Sequence, residues 1–158
     1  MSAIAERAHS CIGSLYQFFP NKHAVVEALR DEYVKEVEQS WMNLGREAAS
    51  LTAEDLTCRL IKVHVEIIKS HPALLALLDV PSTSQKRRQL VRARIAEVLI
   101  AHKPRMSRNS ASRVAAVVQQ VSKAMLTLYA QASADEKNAM IEEFKSVLTG
   151  YLAPKLNS

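Results

Sequence analysis

Ile12 to Lys22, IGSLYQFFPNK, packs a glycine, a serine, three aromatics, a proline stop and a lysine into eleven residues. Ahead of it, Ile4, Ala5 and Ala8 have the apolar spacing of a short helix. Behind it, Asn21 offers a side-chain oxygen to cap a new helix, and Pro20 cannot continue the old one. A helix, a short break, a second short helix and a restart at Pro20-Asn21 is the order of a helix-turn-helix unit.

Several residues of the stretch have separable roles in such a unit. Leu15 and Phe18 or Phe19 are spaced to pack inward as its core. Ile12, Gly13, Ser14 and Gln17 fall at the start and on the exposed side of the second helix, where side chains can reach base edges in a major groove. For Gln17 a base contact and a plain solvated side chain both stand as readings. Lys22 lies in the first turn of the following helix, where free N–H groups add to the attraction for phosphate.

The string Gly13-Ser14-Leu15-Tyr16-x-Phe18-Phe19-x-Asn21-Lys22 resembles the DNA-binding domain of TetR-type (TetR/AcrR) transcriptional regulators, densely so over Ile4 to Leu29. There it spans the recognition helix and the start of the next. The resemblance implies that Tyr16 and Lys22 contact phosphates, which orient the domain without reading sequence. It begins in the middle of the family's second helix, so the first helix and the start of the second have no counterpart ahead of Ile4. Binding of a near-palindromic operator in double-stranded DNA is expected if that first helix is present. The turn also departs from the family's Gly-Val-Ser, having His9-Ser10-Cys11 instead. A histidine in a left-handed turn position is sterically costly. Ser10 cannot pack under the turn as an apolar residue does. A thiol is also a poorer cap than a hydroxyl, whose cap is worth about 1 kcal/mol.

The 158 residues suit one domain, or one with a small appendage, and 48% are apolar with only three glycines and five prolines. Helix formers dominate and no run alternates apolar and polar residues, so the expected class is all-α. Residues 1–45 form a partial helix-turn-helix domain with its linking helix, and 46–158 a helical ligand-binding and dimerisation domain. No run of eighteen uncharged apolar residues argues for a membrane span, and the N-terminus lacks a signal peptide's apolar core, which points to the cytoplasm. Cys11 and Cys58 read as free thiols.

The net charge of +5 suits an anionic partner. Its densest block, Lys86-Arg87-Arg88 with Arg92 and Arg94, reads as a solvated helix face, with a nucleic-acid patch as the alternative. From Asn21 a long helix runs with Val25, Leu29, Tyr33, Val37, Trp41, Leu44 and Ala48 on one side and charges, Arg30 and Asp31 among them, on the rest. In the resembling family this helix transmits ligand binding to the recognition helices. Trp41 reads as core or as a pocket wall.

Thr52 caps the next helix, with acids in its first turn, to about Ser70. His64 falls on its buried stripe between Leu60 and Ile68, as a hydrogen-bonded core histidine or a ligand contact. A short apolar helix, Ala73 to Asp79, follows Pro72. The expected pocket draws on Tyr33, Val37 and Trp41 of the long helix, Leu60 and His64 of the next, and Leu74 and Leu78 of the short one. No metal and no cofactor is expected, since neither His64 nor His71 has a partner at ligand spacing.

After a loop from His102 to Asn109, Ser110 or Ser112 caps a helix with Val114, Val117, Val118, Val121, Met125 and Leu128. Ser133 to Glu136 open the last helix, with Ile141, Phe144, Val147 and Leu148, and Pro154 marks a frayed tail. Both carry broad apolar faces that a second copy can cover, which matches the resembling family's dimer. Val117, Val118, Val121, Met125, Leu128, Ile141, Phe144 and Leu148 are the expected interface.

No nucleophile elbow, Gly-rich phosphate loop or H-E-x-x-H motif is present, so no enzyme is expected. The leading expectation is a TetR-like regulator, of the repressor type, that binds DNA as a homodimer and responds to a small apolar effector. The alternative is a dimeric helical ligand- or partner-binding protein that no longer binds DNA.

Overall fold

The structure, a computed structural model, describes residues 1–73, 77 and 84–157. Its described residues form seven α-helices and no strand, the all-α class that the periodicity predicts. In chain order these are α1 (Ser2–Arg7), α2 (Ile12–Phe18), α3 (Lys22–Glu47), α4 (Ala53–Ser70), α5 (Gln85–His102), α6 (Arg108–Gln131) and α7 (Glu136–Leu156), with a 3₁₀ turn at Ala48–Ser50. The expected helix Ala73 to Asp79 lies almost wholly outside the described residues, as do Leu74 and Leu78 of the expected pocket. No helix among the described residues is long and apolar enough to cross a membrane.

Local sequence explains most of the helix starts. Asn21 Oδ1 accepts the Ala24 N–H at 2.9 Å and Thr52 Oγ1 accepts that of Asp55 at 3.1 Å. Ser84 Oγ likewise accepts the Arg87 N–H at 3.2 Å. α6 starts earlier than expected, because Ser107 rather than Ser110 or Ser112 supplies its cap, to the Ser110 N–H at 3.2 Å. At α7 the roles are reversed, and the Glu136 carboxylate accepts from the Ser133 N–H at 3.1 Å and hydroxyl at 2.7 Å. Pro154 does not end α7. The helix runs through it to Leu156, which is buried one turn beyond the fully covered Leu152. Burial of that last turn outweighs the missing proline N–H.

α4 to α7 close around one core, with α5 against α6 and α3, and α4 against α7. Leu56 and Leu60 of α4, Ile95 and Leu99 of α5, Met125 of α6 and Leu148 of α7 are fully covered. Each such side chain contributes about 1.5–3 kcal/mol over an exposed one. α3 joins this core only through its far end, where Trp41 and Leu44 are buried. Towards its start the apolar stripe is progressively uncovered: Val37 and Tyr33 are half-buried and Leu29 is exposed. Of residues 1–29 only Ala5 is fully buried.

The basic block on α5 is a solvated face only at Lys86 and Arg88, which are exposed. Arg87, only 9% exposed, donates from Nη2 to Glu27 Oε2 and from Nη1 to Asp31 Oδ1, both at 2.6 Å. Arg30, equally buried, donates to Glu27 Oε1 at 2.7 Å and to the Leu77 carbonyl. Further along, Arg94 pairs with Glu38 of α3 and, at 2.9 Å, with Glu97 of its own helix. The arginines thus fasten the weakly packed half of α3 to α5. Burial pushes the Glu27 carboxyl up, but the hydrogen bonds and charges of Arg87 and Arg30 outweigh it and hold it below the usual carboxylate range.

Removing Arg87 leaves Glu27 with one partner in a mostly buried place, while Asp31 at the edge of the cluster stays solvated. Arg87→Met is therefore expected to lower the unfolding free energy by about 2–3 kcal/mol, between the surface-pair and buried-pair limits. Urea denaturation measures it. A loss under about 0.5 kcal/mol, the range of neutral surface changes, would show that the cluster does not fasten the helices.

Candidate functional site

α2 presents itself to solvent. Ile12, Gly13, Tyr16 and Gln17 are exposed, Ser14 is half-buried, and Lys22 is exposed at the start of α3. Leu15 and Phe19 are half-buried, so Phe19 rather than Phe18 is the inward aromatic. Phe18 is 77% exposed. The turn has the geometry that its residues made costly. His9 has φ 48, the sole positive φ among the described non-glycine residues. Cys11 does act as the cap of α2: its Sγ accepts the Ser14 N–H at 3.3 Å and lies 2.9 Å from the Ser14 hydroxyl. Those bonds, the hydroxyl's first, hold the thiol pKa below the ordinary value.

A cavity of about 260 Å³ lies where α3, α4, α5 and α6 meet. Hollows of about 250 and 320 Å³ elsewhere are each framed by two helices only, α4 with α7 and α3 with α5. Arg30 and Val34 of α3, His64 of α4 and Arg87 and Val91 of α5 line it, with Leu77 beside them. α6 closes the other side with Gln119, Ser122 and Leu126, and Lys123 at the rim. The walls are mainly apolar, and the polar groups converge from four helices, as in a small-molecule site.

Of the expected pocket residues described, only His64 lines this cavity. Tyr33 instead stacks on His71, with ring centroids 4.6 Å apart, and His71 pairs with Glu36. Trp41 is core, its ring 5.3 Å edge-on from His64. Leu60 is fully covered, and Val37 packs on the core. Val34, one turn short of Val37, takes the place expected for it. His64 is the hydrogen-bonded core histidine of the first reading. Its Nδ1–H donates to the Leu60 carbonyl at 2.7 Å, and the ring still borders the cavity.

Two polar atoms beside the cavity have no hydrogen-bond partner among the described residues, Ser122 Oγ and Gln119 Oε1. Ser122 is 2% exposed. Gln119 is fixed in orientation because its Nε2 donates to the Arg88 carbonyl at 3.0 Å. A buried polar atom without a partner costs about 1–3 kcal/mol, and such atoms call for a ligand or water. The sequence carried a signal for this, since Ser122 interrupts the apolar run Val118–Met125 on the buried face of α6.

The structure also narrows the expected dimer face. Val118, Met125 and Leu148 are fully covered within one chain and cannot meet a second. Val117 and Leu128 of α6 and Val147 of α7 are exposed, and Val121, Ile141 and Phe144 are half-buried.

The family model for the "Tetracyclin repressor-like, C-terminal domain" matches residues 52–152, from the cap of α4 to near the end of α7. The chain belongs to the TetR family of regulators. Among curated proteins, none matches it.

Burial holds the His64 pKa below the ordinary value, against the opposing hydrogen bond to Leu60. The unfolded chain therefore takes up that proton first as pH falls. Stability from the neutral ring is complete above the unfolded pKa, near 6.5, and declines below it until the folded pKa is reached, by up to about 1.4 kcal/mol per pH unit. His64→Gln should show a smaller loss of stability than the parent between pH 7.5 and 5.5 in urea melts. Equal losses would mean that His64 is not held neutral.

Proposed function

We propose that the protein is a TetR-type transcriptional repressor of the cytoplasm that grips near-palindromic operator DNA as a homodimer and releases it when a small, largely apolar effector enters the cavity. One observation carries the reading. α3 is a single uninterrupted helix whose start adjoins α2 and whose Arg30 and Val34 line the cavity. Arg30 lies only eight residues beyond Lys22, about 12 Å along the helix, so a ligand that shifts this wall shifts the base of the recognition helix. Ile12, Gly13, Ser14 and Gln17 would meet base edges, and Tyr16 and Lys22 phosphates. The dimer would form through α6 and α7, with Val117, Val121, Leu128, Ile141 and Phe144 between the copies and Val147 added to them.

A second reading has its own support. Phe18, Ile4, Ile12 and Leu29 are all exposed apolar side chains at the N-terminal end. Such side chains suit a dimeric ligand- or partner-binding protein that does not recognise DNA.

Selection from a random duplex library, followed by fluorescence anisotropy over a salt series, separates the two. The repressor reading expects enrichment of near-palindromic sites. Lys22→Ala should then weaken binding to all sequences and reduce the salt slope by about one unit per protomer. Gln17→Ala should relax preference at one base position by about 1–3 kcal/mol. A library without enrichment would leave the second reading.

A further inference from the structure

The two guanidiniums buried in the cavity wall, Arg30 and Arg87, are paired with two carboxylates, Glu27 and Asp31, while Arg88 and Lys123 stand exposed at its edge. An anionic ligand that reached the buried guanidiniums would have to displace one of those carboxylates, and a cationic one would face both guanidiniums. What is unmet in the wall is an acceptor and a hydroxyl on α6. Gln119 Oε1 can only accept, and its amide is held in that orientation by the Arg88 carbonyl. Ser122 Oγ can both donate and accept, and has no partner among the described residues. The two residues stand three apart on α6, hence on one face and one above the other. His64 gives its Nδ1–H to Leu60 and, being neutral, offers only an acceptor at its other nitrogen. Around these groups lie Val34, Val91 and Leu126. At about 260 Å³ the space is smaller than that of a drug-sized pocket, ~300–1,000 Å³.

We propose that the cavity takes a compact, uncharged, largely apolar molecule with a hydroxyl group, a phenol or an alcohol, whose O–H donates to Gln119 Oε1 and whose oxygen accepts from the Ser122 hydroxyl. The inference rests on the reading of this cavity as the effector site, and it adds the chemistry that the effector must carry. An ether of the same shape offers no donor, and a carboxylate brings a charge for which the buried guanidiniums, already paired, leave no place.

The test is isothermal titration of the full chain with three compounds of one frame: 4-tert-butylphenol, 4-tert-butylanisole and 4-tert-butylbenzoate. The phenol should bind saturably, with the anisole and the benzoate each about tenfold weaker or worse. Ser122→Ala, which removes the hydroxyl that the ligand oxygen accepts from, should weaken the phenol about tenfold, and it should weaken the anisole too, whose ether oxygen keeps that acceptor. Val34→Phe, which fills the space from α3, should remove binding of all three. Thermal melts confirm that both variants fold. Equal binding of phenol and anisole, tightest binding of the benzoate, a phenol affinity indifferent to Ser122→Ala, or no binding of any compound would each overturn the assignment. Operator selection without ligand is a separate measurement. Enrichment without phenol binding loses only the ligand class, and phenol binding without enrichment loses the repressor reading.

Discussion

Arg87 reaches from the first turn of α5 to two carboxylates a turn apart on α3, and one of these, Glu27, is shared with Arg30. Among the described residues this cluster ties the front half of α3 to α5, beside the contacts of Tyr33 and Glu36 with His71. The apolar stripe of that half is too thinly covered to hold it, since burial becomes complete only at Trp41. The cluster also stands in the cavity wall. Stability of the junction and shape of the cavity therefore depend on one cluster, whose Arg30 and Arg87 line the cavity.

Most helices were legible in the sequence because their signals are local. Asn21 and Thr52 announce caps through their own oxygens, and the stripes on α4 and α6 have helical period. Signals that depend on the partner helix were not legible. Arg87 sits in a run of basic residues that looks solvated, and only the fold brings Glu27 and Asp31, about sixty residues away, within reach of it. In α7, Pro154 reads as a stop because proline lacks an N–H, yet the burial of Leu156 carries the helix past it. The cavity was half legible: His64 was marked by its place on a buried stripe. Val34 and Val37 could not be told apart, because which of two adjacent turns faces a gap is decided by how the helices cross.

The turn before α2 shows that a departure from a family pattern can be absorbed. His9 takes the left-handed conformation that glycine would adopt more easily, and its cost stays in the chain. Cys11 recovers part of that loss by capping with sulfur, helped by the Ser14 hydroxyl beside it. The family motif had fixed the positions of these roles. The structure shows that the roles survive two changes of residue, with weaker chemistry in each.

The graded burial along α3 has a further consequence. Cooperative units of a protein open at different free energies, and those with few buried apolar contacts open first. Residues 1–29, with Ala5 alone fully covered, have few such contacts, so opening them would cost an energy on the scale of one ion cluster. A ligand at a hundred times its dissociation constant supplies about 2.7 kcal/mol of preference for the state that it binds, which is the same scale. A front half packed as densely as the region around Trp41 would be sturdier, and no small molecule of ordinary affinity could move it.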